Sequence, residues 1–244
     1  MRHLQAVARL LSGLLHILHG CWTVQRHFPR WTEAERARAI EDWAQGLLSR
    51  WGVQVQVRGS PVAAGPVLLV ANHISWLDIL VMHAARHCRF VSKADVKHWP
   101  LVGMMATAAG TLFIERESRR DAMRVVHHMA EALQRGEVLA VFPEGTTSDG
   151  RQLLPFHANL IQAAIAAPAP VQPVALRFVD AQGQPSLAPC YIGDDTLVGS
   201  IWRTLTSPGI TAVVSFGLPQ PARGRDRRAW AADLREDVAA LRRD

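Results

Sequence analysis

The chain has 244 residues, enough for one α/β domain with a full core plus an appendage, and no Ser/Gly-rich linker divides it. Its 27 Lys and Arg against 21 Asp and Glu give a net charge of +6 and a pI near 10.2, so an anionic partner is expected. With a single Tyr and no nucleic-acid-binding motif, a membrane surface or an acidic co-substrate ranks ahead of nucleic acid, and the scattered Cys21, Cys88 and Cys190 exclude a disulfide framework and point to a reducing compartment.

The first element is the apolar run Leu10–Trp22, preceded by Arg9 and interrupted by His16 and His19. It is marginal for a spanning helix, which needs about 20 mainly apolar residues, and it lacks a small-residue cleavage site. Gln25-Arg26-His27-Phe28-Pro29-Arg30-Trp31 then sets cations beside aromatic rings, as an interfacial segment does. Thr32-Glu33-Ala34-Glu35 reads as a capping box opening a second helix, with Ile40, Trp43, Ala44, Leu47 and Leu48 on one face. Residues 1–50 are therefore expected to form a membrane-docking helical hairpin, and 51–244 the remaining domain; the competing reading is that both helices simply cover the sheet.

Gly52–Arg58 alternates strictly and predicts a half-exposed, antiparallel edge strand. Pro66–Ala71 is continuously apolar and predicts a fully buried strand, so Asn72 and His73 emerge at its C-terminal end, where open α/β sheets place their ligands. Five residues later Asp78 falls in the first turn of the next helix. A histidine needs one ring nitrogen held by a fixed acceptor before the other takes a proton from an alcohol, and Asp78 is the natural acceptor. Against this stands a helix N-cap at Asn72 and an incidental histidine.

Val91–Lys97 carries Lys93 and Lys97, read either as cations for an anionic head group or as solvated lysines. Gly110–Arg116 is a short strand ending in Glu115 and Arg116, the latter suited to forked recognition of phosphate. Ser118–Asp121 resembles an N-cap for a helix whose core stripe is Met123, Val126, Ala130 and Leu133, closed by Gly136. Val138–Ser148 is a second buried strand running into Pro143-Glu144-Gly145-Thr146, a turn whose amides and hydroxyls suit an anion. Val171–Phe178 and Ile210–Phe216 add strands. Trp230, Leu234, Val238 and Leu241 mark a C-terminal amphipathic helix preceded by Arg223, Arg225, Arg227 and Arg228. The sum is an α/β fold with a mixed, largely parallel sheet flanked by helices.

Three strand ends carrying His73/Asp78, Glu115/Arg116 and Glu144/Gly145/Thr146 resemble the glycerolipid acyltransferases that acylate lysophosphatidate. His73 and Asp78 match that family's His-x4-Asp motif, Phe113–Arg116 its second block, Phe142–Gly145 its Phe-Pro-Glu-Gly block and Pro173-Val174 a fourth, over roughly residues 50 to 220. The resemblance implies direct acyl transfer from acyl-CoA or acyl carrier protein as co-substrate, with no cofactor. His73 is then general base, Asp78 its orienting acid, and Arg116 and Glu144 hold the acceptor head group, with Glu115, Gly145, Thr146, Lys93 and Lys97 as further substrate contacts. Members using lysophosphatidate carry an Arg after the Phe-Pro-Glu-Gly-Thr core and a Lys some residues later; here Thr147 and His157 stand there, so a lyso-ornithine lipid acceptor stays open. The expected place is the cytoplasmic face of the inner membrane.

Other chemistries find less support. His83 and His87 have the spacing of a zinc pair, but neither a His-Glu-x-x-His arrangement nor a third ligand accompanies them. Ser75 and Ser148 lie in no Gly-x-Ser-x-Gly elbow. A membrane lysolipid-binding protein without turnover and an acyl hydrolase are the remaining alternatives. Lysolipid binding without thioester consumption would mark the first, and thioester consumption independent of lysolipid the second.

Overall fold

The computed structural model of the chain describes residues 2–114 and 119–243, and of 119–122 only the helical backbone. Among the described residues, β1 (Val53–Arg58), β2 (Val67–Ala71), β3 (Arg89–Lys93), β4 (Leu112–Ile114), β5 (Val138–Val141), β6 (Val171–Val179) and β7 (Ile210–Phe216) form one sheet ordered β1-β7-β6-β2-β5-β3-β4. From β6 through β4 the strands are parallel; β7 pairs antiparallel to β6, and β1 pairs parallel to β7. β1 is the half-exposed edge strand that its alternation predicts, but its bonded neighbour is parallel rather than antiparallel. Alternation reports one wet face and carries no information on the neighbour's direction.

The helices are α1 (Arg2–Arg26), α2 (Glu33–Arg50), α3 (Leu77–Ala85), α4 (Val102–Ala108), α5 (Arg119–Gln134), α6 (Gln162–Ala166), α7 (Leu197–Thr206) and α8 (Arg227–Leu241). Every residue of β2 is buried, and successive side chains feed two cores, as a period of two requires. Val67, Leu69 and Ala71 pack with Leu47 and Leu48 of α2 and Leu77 and Val81 of α3. Leu68 and Val70 pack with Met129 and Leu133 of α5, Ala163 of α6 and Trp230 and Leu234 of α8. Each large side chain so buried contributes roughly 1.5–3 kcal/mol, and this is what holds the central strand and the loop that leaves it.

The capping box is present: Thr32 accepts from Glu35 N, and the Glu35 side chain accepts from Thr32 N. α2 lies on the sheet, and α1 lies on α2. The inner face of α1 is made of Ala6, Gly13, Gly20 and Cys21, because any Cβ at Gly13 would overlap the Trp51 indole and any at Gly20 the Trp43 indole. Trp43 Nε1 donates to His16 O at 3.2 Å, His16 Nε2 bonds Trp43 O at 2.9 Å, and Arg9 donates to Leu205 O at 2.8 Å and Ser207 O at 3.0 Å at the end of α7. The outer face of α1, including Leu4, Val7, Leu11, Leu15, Leu18 and Trp22, is exposed.

The α5 stripe departs from expectation at its first residue. Ala130 and Leu133 are buried as expected and Val126 packs against the core, whereas Met123 is 74% exposed and Val125, Met129 and Ala132 complete the buried face. The helix is amphipathic as expected, but its face is centred on Val125 and Met129. Ser118 lies outside the described residues. Gly136 ends the element at φ 83°, with its N–H donating to Leu133 O at 2.8 Å.

Candidate active site

Parallel strands bring their C-terminal ends to one edge of the sheet, and β2 and β5 are neighbours there. The polar residues after β2 therefore meet those after β5. Asn72, the first, is buried and continues the ladder with its side chain: Nδ2 donates to Leu176 O at 3.1 Å, and Leu176 N donates to Oδ1 at 2.7 Å. It is not a helix cap, since the N-cap of α3 is Trp76. Asn72 instead fastens the end of β2 to β6 at the point where the backbone leaves the sheet.

His73 Nδ1 lies 2.7 Å from Asp78 Oδ2, and the same oxygen accepts from Ile74 N at 2.7 Å and Ser75 N at 2.9 Å. A carboxylate accepts only, so this contact puts the ring proton on Nδ1 and leaves the Nε2 lone pair available. Nε2 has no hydrogen-bond partner among the described residues, and the side chain is 19% exposed against 0% for Asp78. The ring stacks on Phe142 at a centroid distance of 4.0 Å and 9°, and Phe142 stacks on Phe90. Asp78 fixes the imidazole along its edge and Phe142 across its face.

Glu144 is only 3% exposed. Its Oε1 accepts from His73 N at 2.8 Å and its Oε2 from Leu154 N at 2.9 Å. Burial pushes its carboxyl up from the usual range, opposed by those two amides and by the charges of His73 and Arg242. Both oxygens serve backbone amides, so Glu144 secures the loop bearing His73, and the head-group contact expected of it does not fit its burial. His73 O in turn accepts from Ser148 N at 3.0 Å and Ser148 Oγ at 3.3 Å.

Gly145 turns the chain at φ 72°, with its N–H on Phe142 O at 3.1 Å, and a Cβ there would press on His157. Thr146 and His157 are exposed nearby in the chain, and Thr147 Oγ1 bonds Tyr191 O. Lys93 ends β3 and Lys97 sits in the following 3-10 turn, Ala94–His98; both are exposed. Glu115 and Arg116 lie outside the described residues. Neither serine is placed as a nucleophile: Ser75 is wholly buried and donates to Pro189 O, while Ser148 is bound to His73 O.

His83 and His87 contact each other through Nδ1 atoms 3.4 Å apart, and burial pulls them down to about 3 and about 4, respectively. Among the described residues no three His, Cys, Asp or Glu side chains gather as a metal ion requires. Sequence reasoning missed the Phe142 stack and the two bonds that hold the His73 backbone. The residues were visible in the Phe-Pro-Glu-Gly block; their contact depends on β2 lying beside β5.

An oriented imidazole with a free Nε2 at a strand end can take a proton from a bound alcohol. Residues 54–177 match the family model described as Acyltransferase. The chain is 39% identical over 208 residues to the 1-acyl-sn-glycerol-3-phosphate acyltransferase of Neisseria meningitidis serogroup B, spanning 84% of this chain and 81% of the relative. It is 38% identical over 203 residues to the lyso-ornithine lipid O-acyltransferase of Pseudomonas aeruginosa, spanning 83% and 78%. Its fold is like that of the crystal structure of the 1-acyl-sn-glycerophosphate (LPA) acyltransferase PlsC from Thermotoga maritima, with a TM-score of 0.74 at 21% identity over 99% of this chain and 98% of that one. By family match and by identity over most of its length, the chain belongs to the glycerolipid acyltransferase family.

Proposed function

We propose that this protein moves a fatty acyl group from a thioester, acyl-CoA or acyl carrier protein, to the free hydroxyl of a lysolipid, with 1-acyl-glycerol-3-phosphate as acceptor and phosphatidate as product. The observation that carries this is the His73–Asp78 contact of 2.7 Å with Nε2 unengaged among the described residues. His73 Nε2 takes the hydroxyl proton as the oxygen attacks the thioester carbonyl. Asp78 stabilises the imidazolium, the C–S bond breaks, and the departing sulfur receives the proton. The thioester is a co-substrate, and no cofactor is assigned a step.

The tetrahedral oxyanion needs donors. The amides of Ile74 and Ser75 are committed to Asp78, and that of Gly145 to Phe142 O. Among the described residues the amides of Glu144, Thr146 and Thr147 are uncommitted in that stretch, and we assign the role to those of Thr146 and Thr147. Arg116 carries the head-group contact, with Lys93 and Lys97 at the end of β3 as further cations.

One observation favours a second acceptor. Thr147 and His157 occupy the places of two cations used by lysophosphatidate-acylating members, and Thr147 spends its hydroxyl on Tyr191 O. A lyso-ornithine lipid asks less of the site in positive charge. The relatives include enzymes named for each acceptor.

Access is from the membrane. α1 has the length and apolarity of a spanning helix, yet it is tied to the domain from Arg9 through Gly20. We therefore place it in the plane of the bilayer surface on the cytoplasmic side, with its leucines and Trp22 in the lipid. The test is mass-spectrometric product identification with membrane-reconstituted protein, either thioester, and lysophosphatidate or lyso-ornithine lipid. Phosphatidate formed by the parent and not by His73→Ala supports the main reading, and acylated ornithine lipid alone moves the head group. Lysolipid binding without product overturns both.

A further inference from the structure

Two arginines near the C-terminus reach the loop that holds His73. Arg235 of α8 donates through Nε to Leu154 O at 3.0 Å and through Nη2 to Leu153 O at 2.7 Å. Arg242, the C-cap of α8, donates through Nη2 to Gly150 O. The segment so gripped, 148–154, is the one that engages His73. Ser148 donates to His73 O, and Leu154 N donates to the Glu144 carboxylate, whose other oxygen accepts from His73 N. Leu153 is packed with Ala175 of β6 and Val238 of α8, which brings the loop against the helix. α8 lies beyond residue 177, where the match to the family model ends.

We infer that Arg235 and Arg242 are positioning residues for the base: through the 148–154 loop, α8 sets the two backbone contacts that hold His73 in place. Given the acyltransferase reading on which this rests, the arginines touch no substrate and act on the rate step through geometry. Displacing a base by about 1 Å costs on the order of 100-fold in rate, so a partial loosening of the loop is expected to cost about tenfold.

The two arginines differ in one respect. Glu144 is faced by His73 from the loop after β2 and by Arg242 from the end of α8; Arg242 is itself faced by Arg177 of β6 and Asp149 of the loop. Burial favours protonated Glu144 and the Arg242 charge opposes it. A proton on either carboxylate oxygen would confront an N–H already aimed at it, so the grip on His73 requires the ionised form. Removing the cation lets Glu144 take a proton at higher pH. Arg235 does not figure among the charges acting on Glu144.

The experiment compares Arg235→Met, Arg242→Met and Arg242→Lys in the reconstituted full chain by kcat, KM and the pH profile of kcat, alongside hydrogen–deuterium exchange of segments 72–78 and 148–156. Both Met variants are expected to lose about tenfold in kcat with each KM within about twofold, and to exchange faster in both segments. Arg242→Met alone moves the acid limb of the profile to higher pH, and Arg242→Lys restores that limb while kcat stays low. If Arg242→Met does not fold, Arg235→Met and Arg242→Lys still carry the kcat and exchange arms. Parental kcat and parental exchange in folded variants overturn the inference, as does an acid limb unmoved by Arg242→Met. Exchange is read without turnover, so a parent inactive toward every acceptor refutes the acyltransferase reading while exchange still decides whether α8 holds the base.

Discussion

Asp78→Asn separates orientation from charge at the base. The amide oxygen of Asn can occupy the place of Oδ2 and keep the bonds to Ile74 N and Ser75 N, whereas Ala would strand two buried donors. The Asn NH2 then falls where Asp78 Oδ1 is buried without a partner among the described residues, costing about 1–3 kcal/mol of stability. What disappears is the negative charge beside the imidazolium. For charge centres about 4 Å apart at an effective dielectric near 20 the interaction is about 4 kcal/mol. At about 1.4 kcal/mol per factor of ten, this corresponds to about a thousandfold in kcat. Neither substrate touches Asp78, so KM should hold. The assay is thiol release from the acyl donor with saturating lysolipid, on protein whose circular dichroism matches the parent. A folded Asp78→Asn enzyme with kcat within tenfold of parental would refute the claim that Asp78 acts on the charge formed at His73.

Three further outcomes test the scaffold. His83 and His87 have folded-state pKa values below the ordinary 6.5, at about 3 and about 4, so the unfolded chain binds more protons below pH 6.5. The stability they permit is complete above that pH and falls by up to about 1.4 kcal/mol per pH unit for each as the pH drops towards 4. Melting should therefore fall steeply from pH 7 to pH 5 and less so in His83→Gln/His87→Gln; identical slopes would sink the assignment. Asn72→Ala strands the N–H and C=O of Leu176 that its amide serves, for a loss of about 2–6 kcal/mol in denaturant unfolding; a loss below 1 kcal/mol would leave Asn72 no role in joining β2 to β6. Gly20→Ile drives a side chain into the Trp43 indole and should destabilise by at least about 1–3 kcal/mol, and an unchanged melting curve in detergent would mean that α1 does not rest on α2 there.

What the sequence disclosed depended on the range of the interaction. The His73–Asp78 contact spans five residues and is closed by one turn of chain, so its spacing could be read directly. The same holds for the Thr32–Glu35 box and for β2 and β5, whose unbroken apolar runs state that both faces are buried. The bond from His73 N to Glu144 crosses 71 positions, and the grip of Arg235 and Arg242 on the 150–154 loop crosses 81 to 92; these follow from strand order, which periodicity does not encode. Met123 falls outside the buried face because it lies near the start of α5, where an apolar residue fits two neighbouring faces equally well. The parallel partner of β1 stayed hidden for a related reason, since it is set by where β7 reverses.

The closure of the base–acid pair inside one short turn has a consequence for how such a protein changes. Asp78 Oδ2 gathers the imidazole and two amides of its own loop, so the edge of the ring is oriented within one turn of chain anchored by Asn72, while Phe142, Glu144 and Ser148 steady its face and backbone from the end of β5. Among the described residues the segments after β3 and β4 supply none of these contacts, so on the proposed mechanism they can drift in sequence, and one lipid head group can give way to another there and at side chains such as Thr147 and His157 while the backbone contacts on His73 stay in place. On that mechanism the orientation of the base and the choice of head group are inherited largely on different stretches of the polypeptide.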